Sequence, residues 1–277
     1  MLDWNEIAPG GRHQDAVVDL LDRYRVQCGA PRDDRLHQVA EIFVHLPYEN
    51  LTKLLRKHRE SVGRDRLRLP GDVVADHVTY GAGGTCFSLS CLFGLTLDRL
   101  GLDGYPVLAR MRTERALHTA LVIPVDGRHF LIDPGYLIHM PVLLRPGATT
   151  RVRTKAAVVE ITGRPDGRTY DLSTNGLWRY AFIDDPLDAD RFVRLWIESF
   201  DWTMMHDLHL SRVCDGGYLY VNGHKLRRMV DGRKENQNIR LNRAEILREE
   251  FGLDPELTRT ALEVVLASRS GGVGGVM

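Results

Sequence analysis

The segment Gly81-Ala82-Gly83-Gly84-Thr85-Cys86-Phe87-Ser88-Leu89-Ser90 sets a cysteine directly behind a glycine pair and at the head of an apolar run. Glycines permit a sharp turn and the close approach of another backbone, because they carry no Cβ. Thr85 is a good N-cap for Cys86, Leu89, Phe93, Leu97 and Leu100, whose three- and four-residue spacing predicts a helix. Cys86 then lies in the first helical turn. Unpaired N–H groups there favour thiolate over thiol, and such a site with a basic neighbour brings a cysteine from a pKa of ~8.5 to about 3.5–7.5. The same N–H groups can hold an oxyanion. Two readings of Cys86 stand side by side, a nucleophile and a small residue packed in a core helix. Cys91 faces elsewhere on that helix and, with Cys28 and Cys214, reads as core filler.

Upstream, the spacing of Val17, Leu20, Leu21 and Tyr24, and of Leu36, Val39, Ala40, Phe43 and Val44, predicts two helices, and a third opens at Pro70 and runs to Gly81. Arg56 to Leu69, dense in basic side chains, reads as a solvated loop. Downstream the period becomes two. Tyr105 to Met111, Leu117 to Val125, Arg128 to Asp133, Arg151 to Thr162 and Leu177 to Asp184 read as strands, with turns at Asp126-Gly127 and Pro165-Asp166-Gly167. Antiparallel pairing into a curled sheet or small barrel follows. A helix is expected from Asp188 to about Phe200, then strands over Leu208 to Val213 and Gly217 to Val230 around Asn222-Gly223. Helices over Asn242 to Phe251 and Pro255 to Ser268 close the chain, the first with Asn242 and Glu245 as a capping box. The glycine-rich end, 270–277, is expected to fray.

Composition narrows the function classes. The 277 residues are 43% hydrophobic, enough for one large domain or a few lobes sharing a core. Thirty-seven basic and thirty-seven acidic residues balance to a net charge of zero, so no global field draws the chain to nucleic acid or an anionic membrane. The opening MLDWNEIAPGGR lacks the apolar core of a secretory signal, and no apolar run is long enough to span a bilayer. A soluble, cytoplasmic protein is expected, with neither nucleic acid nor membrane as partner. Four cysteines without CxxC pairs suit neither a disulfide scaffold nor a zinc site, so no metal is expected.

A thiolate nucleophile needs a base and a group to orient it. Most histidines, including His13, His37, His58, His206, His209 and His224, read as surface or packing residues. His118 is different. If Asp126-Gly127 is a two-residue hairpin, paired positions sum to 253, so 118 faces 135 and 120 faces 133. Strand parity then puts His118 and Asp133 on one face as diagonal neighbours, ~7 Å apart by backbone measure. Pro124 cannot donate to the ladder and could shift this register or confine the strand to an edge. Asp133, before Pro134-Gly135, reads equally well as a turn acid.

Gly83-Gly84-Thr85-Cys86-Phe87, His118 opening an apolar strand, and Asp133 closing another resemble the arylamine N-acetyltransferase family. Pro47-Tyr48-Glu49-Asn50-Leu51 resembles that family's Pro-Phe-Glu-Asn-Leu, and Leu219 to Arg227 and Ile246 to Leu253 resemble its C-terminal lobe. The resemblance implies an α+β fold of cysteine-protease-like core: an N-terminal helical bundle (1–103), a central antiparallel β-barrel (104–186) and a C-terminal α/β lid (187–277). It implies a Cys86-His118-Asp133 triad, with Tyr48, Tyr136 and Met204 near the substrate, although each aromatic also reads as packing. It further implies ping-pong acyl transfer from a coenzyme A or phosphopantetheine thioester, with no tightly bound cofactor. The default donor is acetyl-coenzyme A and the default acceptor an arylamine or hydrazine. The surroundings depart from the family's pattern. Ala82, Ser88 and Ser90 stand at its Arg, Glu and Asn places, and Leu137 at a glycine place. An amide synthase taking a larger acyl group from an acyl carrier protein is therefore a close rival. A thioester hydrolase or transglutaminase-like enzyme, and a non-catalytic binding homologue, are the readings from other classes.

Overall fold

The computed structural model describes residues 2–60, 62–111 and 117–270. The glycine-rich end expected to fray lies at 271–277, outside the described residues, apart from Ser270. The first third is helical: α1 (Trp4–Ile7), α2 (Gly11–Arg23), α3 (Arg32–Ile42), α4 (Leu51–Arg59), α5 (Pro70–Tyr80) and α6 (Cys86–Arg99), with a short strand β1 (Tyr48–Glu49) ahead of α4. Strands β2 (Tyr105–Met111), β3 (Leu117–Val125), β4 (Arg128–Asp133), β5 (Ile138–Leu143), β6 (Thr149–Arg153), β7 (Val158–Gly163), β8 (Thr169–Thr174) and β9 (Leu177–Ile183) follow. They form one antiparallel sheet, in the order β5-β4-β3-β2-β9-β8-β7-β6, curled into a nearly closed barrel. After α7 (Ala189–Glu198) come β10 (His209–Cys214), β11 (Gly217–Asn222), β12 (Lys225–Val230) and β13 (Arg233–Asn238). These join β1 in a five-stranded sheet backed by α8 (Arg243–Phe251) and α9 (Pro255–Ser270). The α+β architecture expected from the sequence is the one observed.

Helix α6 is the axis of the molecule. Every residue from Cys86 to Leu97 is buried, as an all-round apolar helix requires. Trp4 lies flat on Gly94, where a Cβ would come within 2.0 Å of the indole. Phe87 meets Phe192 and Trp196 of α7, so α7 packs with the N-terminal helices. The two faces of β3 serve two cores: Leu121 and Ile123 pack toward α6, while Ala120 and Val122 fill the barrel. Helix α4 belongs to a third core, in which Leu51, Leu54 and Leu55 meet Leu210, Val221 and Leu247.

The β3–β4 hairpin has the register that the Asp126-Gly127 turn dictates. Leu121 pairs with Ile132 and Val125 with Arg128, and Asp126 and Gly127 both have positive φ (48° and 73°), as a type I′ turn requires. Pro124 neither shifts this register nor forces an edge. It pairs with His129 next to the closing pair, where the antiparallel pattern turns its nitrogen away from β4. On that other side β2 has ended, its last partner being Tyr105 opposite Val122.

Several expectations give way to local chemistry. Arg151 to Thr162 is two strands, because the Thr154 hydroxyl accepts from the N–H groups of Ala156 and Ala157 and makes a turn without glycine or proline. Arg56 to Leu69 is not simply a solvated loop. Its start completes α4, and Arg68 is buried at 4% exposure, paired with Asp76 at 2.7 Å and with Glu49 at 3.6 Å. Strand β13 escaped notice because Arg233–Asn238 has no apolar alternation, although the Asp231-Gly232 turn before it has positive φ at both positions. Neither Asn242 nor Thr85 makes a side-chain capping bond. Cys28 is exposed rather than core filler, and Cys214 is only half-buried.

The glycine pair is held by a backbone zipper. Gly84 N–H donates to the Pro47 carbonyl (3.2 Å) and Glu49 N–H to the Gly84 carbonyl (3.0 Å). A Cβ on Gly83 would stand 2.0 Å from the Pro47 carbonyl oxygen. Gly83→Ala is therefore expected to cost about 1–3 kcal/mol and to lower the thermal unfolding midpoint. Gly29→Ala, at a site with no heavy atom within 4 Å, should stay within about 0.5 kcal/mol.

Candidate active site

Three elements converge on the head of α6. The Gly83-Gly84 turn, pinned to Pro47 and Glu49, delivers Cys86 as the first residue of the helix. The N–H groups of that first turn have no acceptor within the helix. The β3–β4 register then sets His118 and Asp133 diagonally on the barrel face, and their side chains close the gap. His118 Nε2 lies 2.9 Å from Asp133 Oδ1 and 2.8 Å from Oδ2. That leaves Nδ1 as the ring nitrogen for the Cys86 thiol, the neighbour that acts on this imidazole next after Asp133. The structure thus brings together the cysteine, histidine and acid that the sequence singled out, and the turn-acid reading of Asp133 is true only of its bond from the Tyr136 N–H (3.2 Å).

Electrostatics at this cluster favour an ion pair. Burial alone would push the Cys86 thiol up, but the His118 hydrogen bond and charge, the Lys53 ammonium and the Thr119 N–H outweigh it, and the net shift is downward. Burial alone would lower the His118 imidazole, but the Asp133 carboxylate and the thiolate push it up to about 10. Lys53 is a buried cation in this field. Its Nζ donates to the Ser199 carbonyl (3.0 Å) and hydroxyl (2.5 Å), and burial pushes it down to about 7. Cys91, fully buried with no charged neighbour, is pushed up instead, as core filler should be.

Cys86 is 6% exposed, and that sliver opens on a cavity of about 480 Å³. Tyr48, Tyr136 and Met204 all line it together with His118, and the Tyr48 hydroxyl reaches Met204 Sδ at 3.9 Å. One wall is a face of the five-stranded sheet. Direct pairing sets Tyr48, Ser211, Tyr220, Arg227 and Asn236 in one row across all five strands. Their sequence neighbours Leu210, Val221 and Leu226 point to the opposite face and its core.

The rebuilt positions have physical consequences. The Ser88 hydroxyl donates to the Thr85 carbonyl at 3.0 Å, while the buried Ser90 hydroxyl has no hydrogen-bond partner among the described residues. Ala82 is packed in the core, and the cation beneath the glycine turn comes instead from Arg68, whose Nη1 donates to the Gly83 carbonyl at 2.9 Å. Leu137 has φ 58° and ψ 32°, a left-handed conformation that glycine adopts freely and leucine at a cost of roughly 1–2 kcal/mol. The sequence reading missed three residues here. Tyr180 donates its hydroxyl to Asp133 Oδ2 at 2.6 Å, and the pairing that brings it there, Met111 with Tyr180, is non-local. Arg68 lay within the presumed loop. Lys53 gave a signal, a lone lysine between Thr52 and Leu54 that falls on the buried face of α4.

Among the described residues no group of three His, Cys, Asp or Glu could hold a metal ion, and no helix is long and apolar enough to cross a membrane. Residues 34–260 match the N-acetyltransferase family model. The chain is 26% identical over 149 residues to proansamycin X synthase of Amycolatopsis mediterranei, a match covering 49% of this chain and 56% of that protein. The chain thus spans little more than half the length of that curated relative. The solved arylamine N-acetyltransferase of Salmonella typhimurium superposes with a TM-score of 0.71 at 20% identity, covering 91% of this chain and 98% of that one. The M. tuberculosis enzyme gives 0.70 at 22% identity, with coverage of 88% and 97%. The structural likenesses fix the fold, and the family model extends over most of the chain: this protein belongs to the arylamine N-acetyltransferase family.

Proposed function

We propose that the protein moves an acyl group from a pantetheine thioester, acetyl-coenzyme A in the default case, through a thioester on Cys86 to an amine such as an arylamine or hydrazine. The observation that carries this reading is the imidazole of His118, shared between Asp133 and a thiol of lowered pKa at the floor of a substrate-sized cavity. Cys86, His118 and Asp133 are the catalytic group in this account, with Tyr48, Tyr136 and Met204 as substrate contacts.

The Cys86 thiolate attacks the thioester carbonyl, and first-turn N–H groups of α6 hold the oxyanion, an effect worth about 3 to 4 kcal/mol per donor. As the tetrahedral adduct collapses, the donor's C–S bond breaks and the departing thiolate takes the proton from the His118 imidazolium. The acyl-enzyme now faces a neutral imidazole. An amine attacks the acyl carbon, His118 Nδ1 accepts its proton, and the Cys86 thiolate leaves, so the starting ion pair is restored. Asp133 keeps the proton on Nε2 and stabilises the imidazolium in both half-reactions. No metal or bound cofactor enters any step.

A second reading is an amide synthase that takes a larger acyl group from a carrier protein, for which a cavity of about 480 Å³ has room. The likeness to proansamycin X synthase points the same way. Intact-mass measurement of the protein offered acetyl-coenzyme A, and separately a long-chain acyl carrier protein, separates the two. An adduct on Cys86 from the first supports acetyl transfer, and from the second alone the amide synthase. Cys86→Ser should form no thioester. Labelling by neither donor contradicts both readings.

The ion pair makes a pH prediction. The thiolate form begins below the ordinary thiol range because Cys86 is shifted down, and the pair is lost above about 10, where His118 gives up its proton. Iodoacetamide inactivation should therefore stay fast through neutral pH, where a thiol of pKa ~8.5 is mostly protonated. Asp133→Asn removes the charge that raises His118, so the window narrows from its alkaline side. Inactivation near neutral pH is expected to slow by about tenfold or more. An ordinary-thiol profile in the wild type would favour the non-catalytic reading.

A further inference from the structure

Two arginines line the cavity from different sheets, and the acyl-transfer steps use neither: Arg179 on β9 of the barrel and Arg227 on β12 of the five-stranded sheet. Arg179 is the extra residue of a β-bulge. Leu172 pairs with Tyr180 and Ser173 with Trp178, which leaves Arg179 without a partner on β8. A bulge re-aims the side chain it carries. Its Nε donates to Thr174 Oγ1 at 2.5 Å, and Thr174 lines the same cavity. Arg227 continues the row Tyr48, Ser211, Tyr220, and its Nε donates to Asn236 Oδ1 at 3.3 Å.

Both arginines are half-buried, yet among the described residues neither forms an ion pair with a carboxylate. No aspartate or glutamate lines the cavity among those residues either. A guanidinium taken partly out of water that finds only a neutral hydroxyl or amide oxygen among the described residues has its charge unmatched by them, which is the state of a site awaiting an anion. The row also gives the spacing. Arg227 lies three strand steps from Tyr48, roughly 14 Å, and Tyr48 bridges to Gly84, beside the thiol. Aromatic side chains, Tyr136, Trp202, Tyr218 and Tyr220, line the space between.

We propose that Arg179 and Arg227 give the cavity an anion subsite for a carboxylate or phosphate carried by the substrate, with Arg227 placed for an anion at the end remote from the reacting carbon. The direction of the chemistry rests on the acyl-transfer reading, whereas the binding does not. The anion has two sources, a phosphate of the thioester donor or an acid group on the amine acceptor. The chemistry that recognises them is shared, because a guanidinium fork matches either.

Ligand titration followed by tryptophan fluorescence, with Trp202 in the cavity wall, tests this in two matched pairs. Para-aminobenzoate is compared with para-aminobenzamide, and coenzyme A with pantetheine. Wild type is expected to bind the anionic member of at least one pair about tenfold or more tighter. The double variant Arg179→Gln, Arg227→Gln should lose that preference, and the Arg→Lys pair should keep part of it. Loss in the first pair assigns the acceptor's carboxylate, and loss in the second the donor's phosphate. Absence of anion preference in the wild type, or its survival in the double variant, overturns the subsite. If the double variant does not fold, the single variants carry the same comparison. Cys86 acylation by a phosphate-free pantetheine thioester, read by mass, checks acyl transfer separately, so failure of one claim is distinguishable from failure of the other.

Discussion

Asp133 is a carboxylate with no exposure to water, and it survives there because donors surround it: His118 Nε2, the Tyr180 hydroxyl and the Tyr136 N–H. Everything at the head of α6 is consistent with that buried charge. It raises the imidazole, the imidazolium lowers the thiol, and the thiol opens on the cavity. The barrel has to close far enough for β9 to reach β2, since Tyr180 arrives only through that pairing. Fold and electrostatics are therefore linked through one hydroxyl.

The thiol's position depends on a second constraint, the close approach of two backbones. Pro47–Glu49 runs beside Gly83-Gly84 at a distance that leaves no room for a Cβ on Gly83, and Arg68 ties the same turn to Glu49 and Asp76. This linkage joins three separate stretches of chain around one helix start. It also gives a physical account of how the turn keeps a cationic support with alanine at position 82. The support is supplied from the basic run between α4 and α5.

The sequence was most legible where structure is local. The Asp126-Gly127 turn set the β3–β4 register, and with it the meeting of His118 and Asp133, by parity alone. The apolar spacing behind the glycine pair set α6. It was least legible where a distant segment or a side-chain hydrogen bond decides the outcome. Thr154 makes a turn that no glycine or proline announces, Tyr180 depends on β2 meeting β9, and the aim of Arg179 depends on a bulge visible only once β8 is paired. Leu137 shows a different limit. The sequence marked a departure from glycine there, but only the backbone shows that the position is left-handed.

The central claim is that Cys86 is ionised at neutral pH because His118, held by Asp133, is protonated beside it. Its most direct measurement is the ultraviolet absorbance of the thiolate, titrated in wild type and in Cys86→Ala, with the difference assigned to this one sulfur. The account predicts a difference signal already present at neutral pH and falling only toward acid. A signal absent at neutral pH and appearing near the ordinary thiol value of ~8.5 would contradict it.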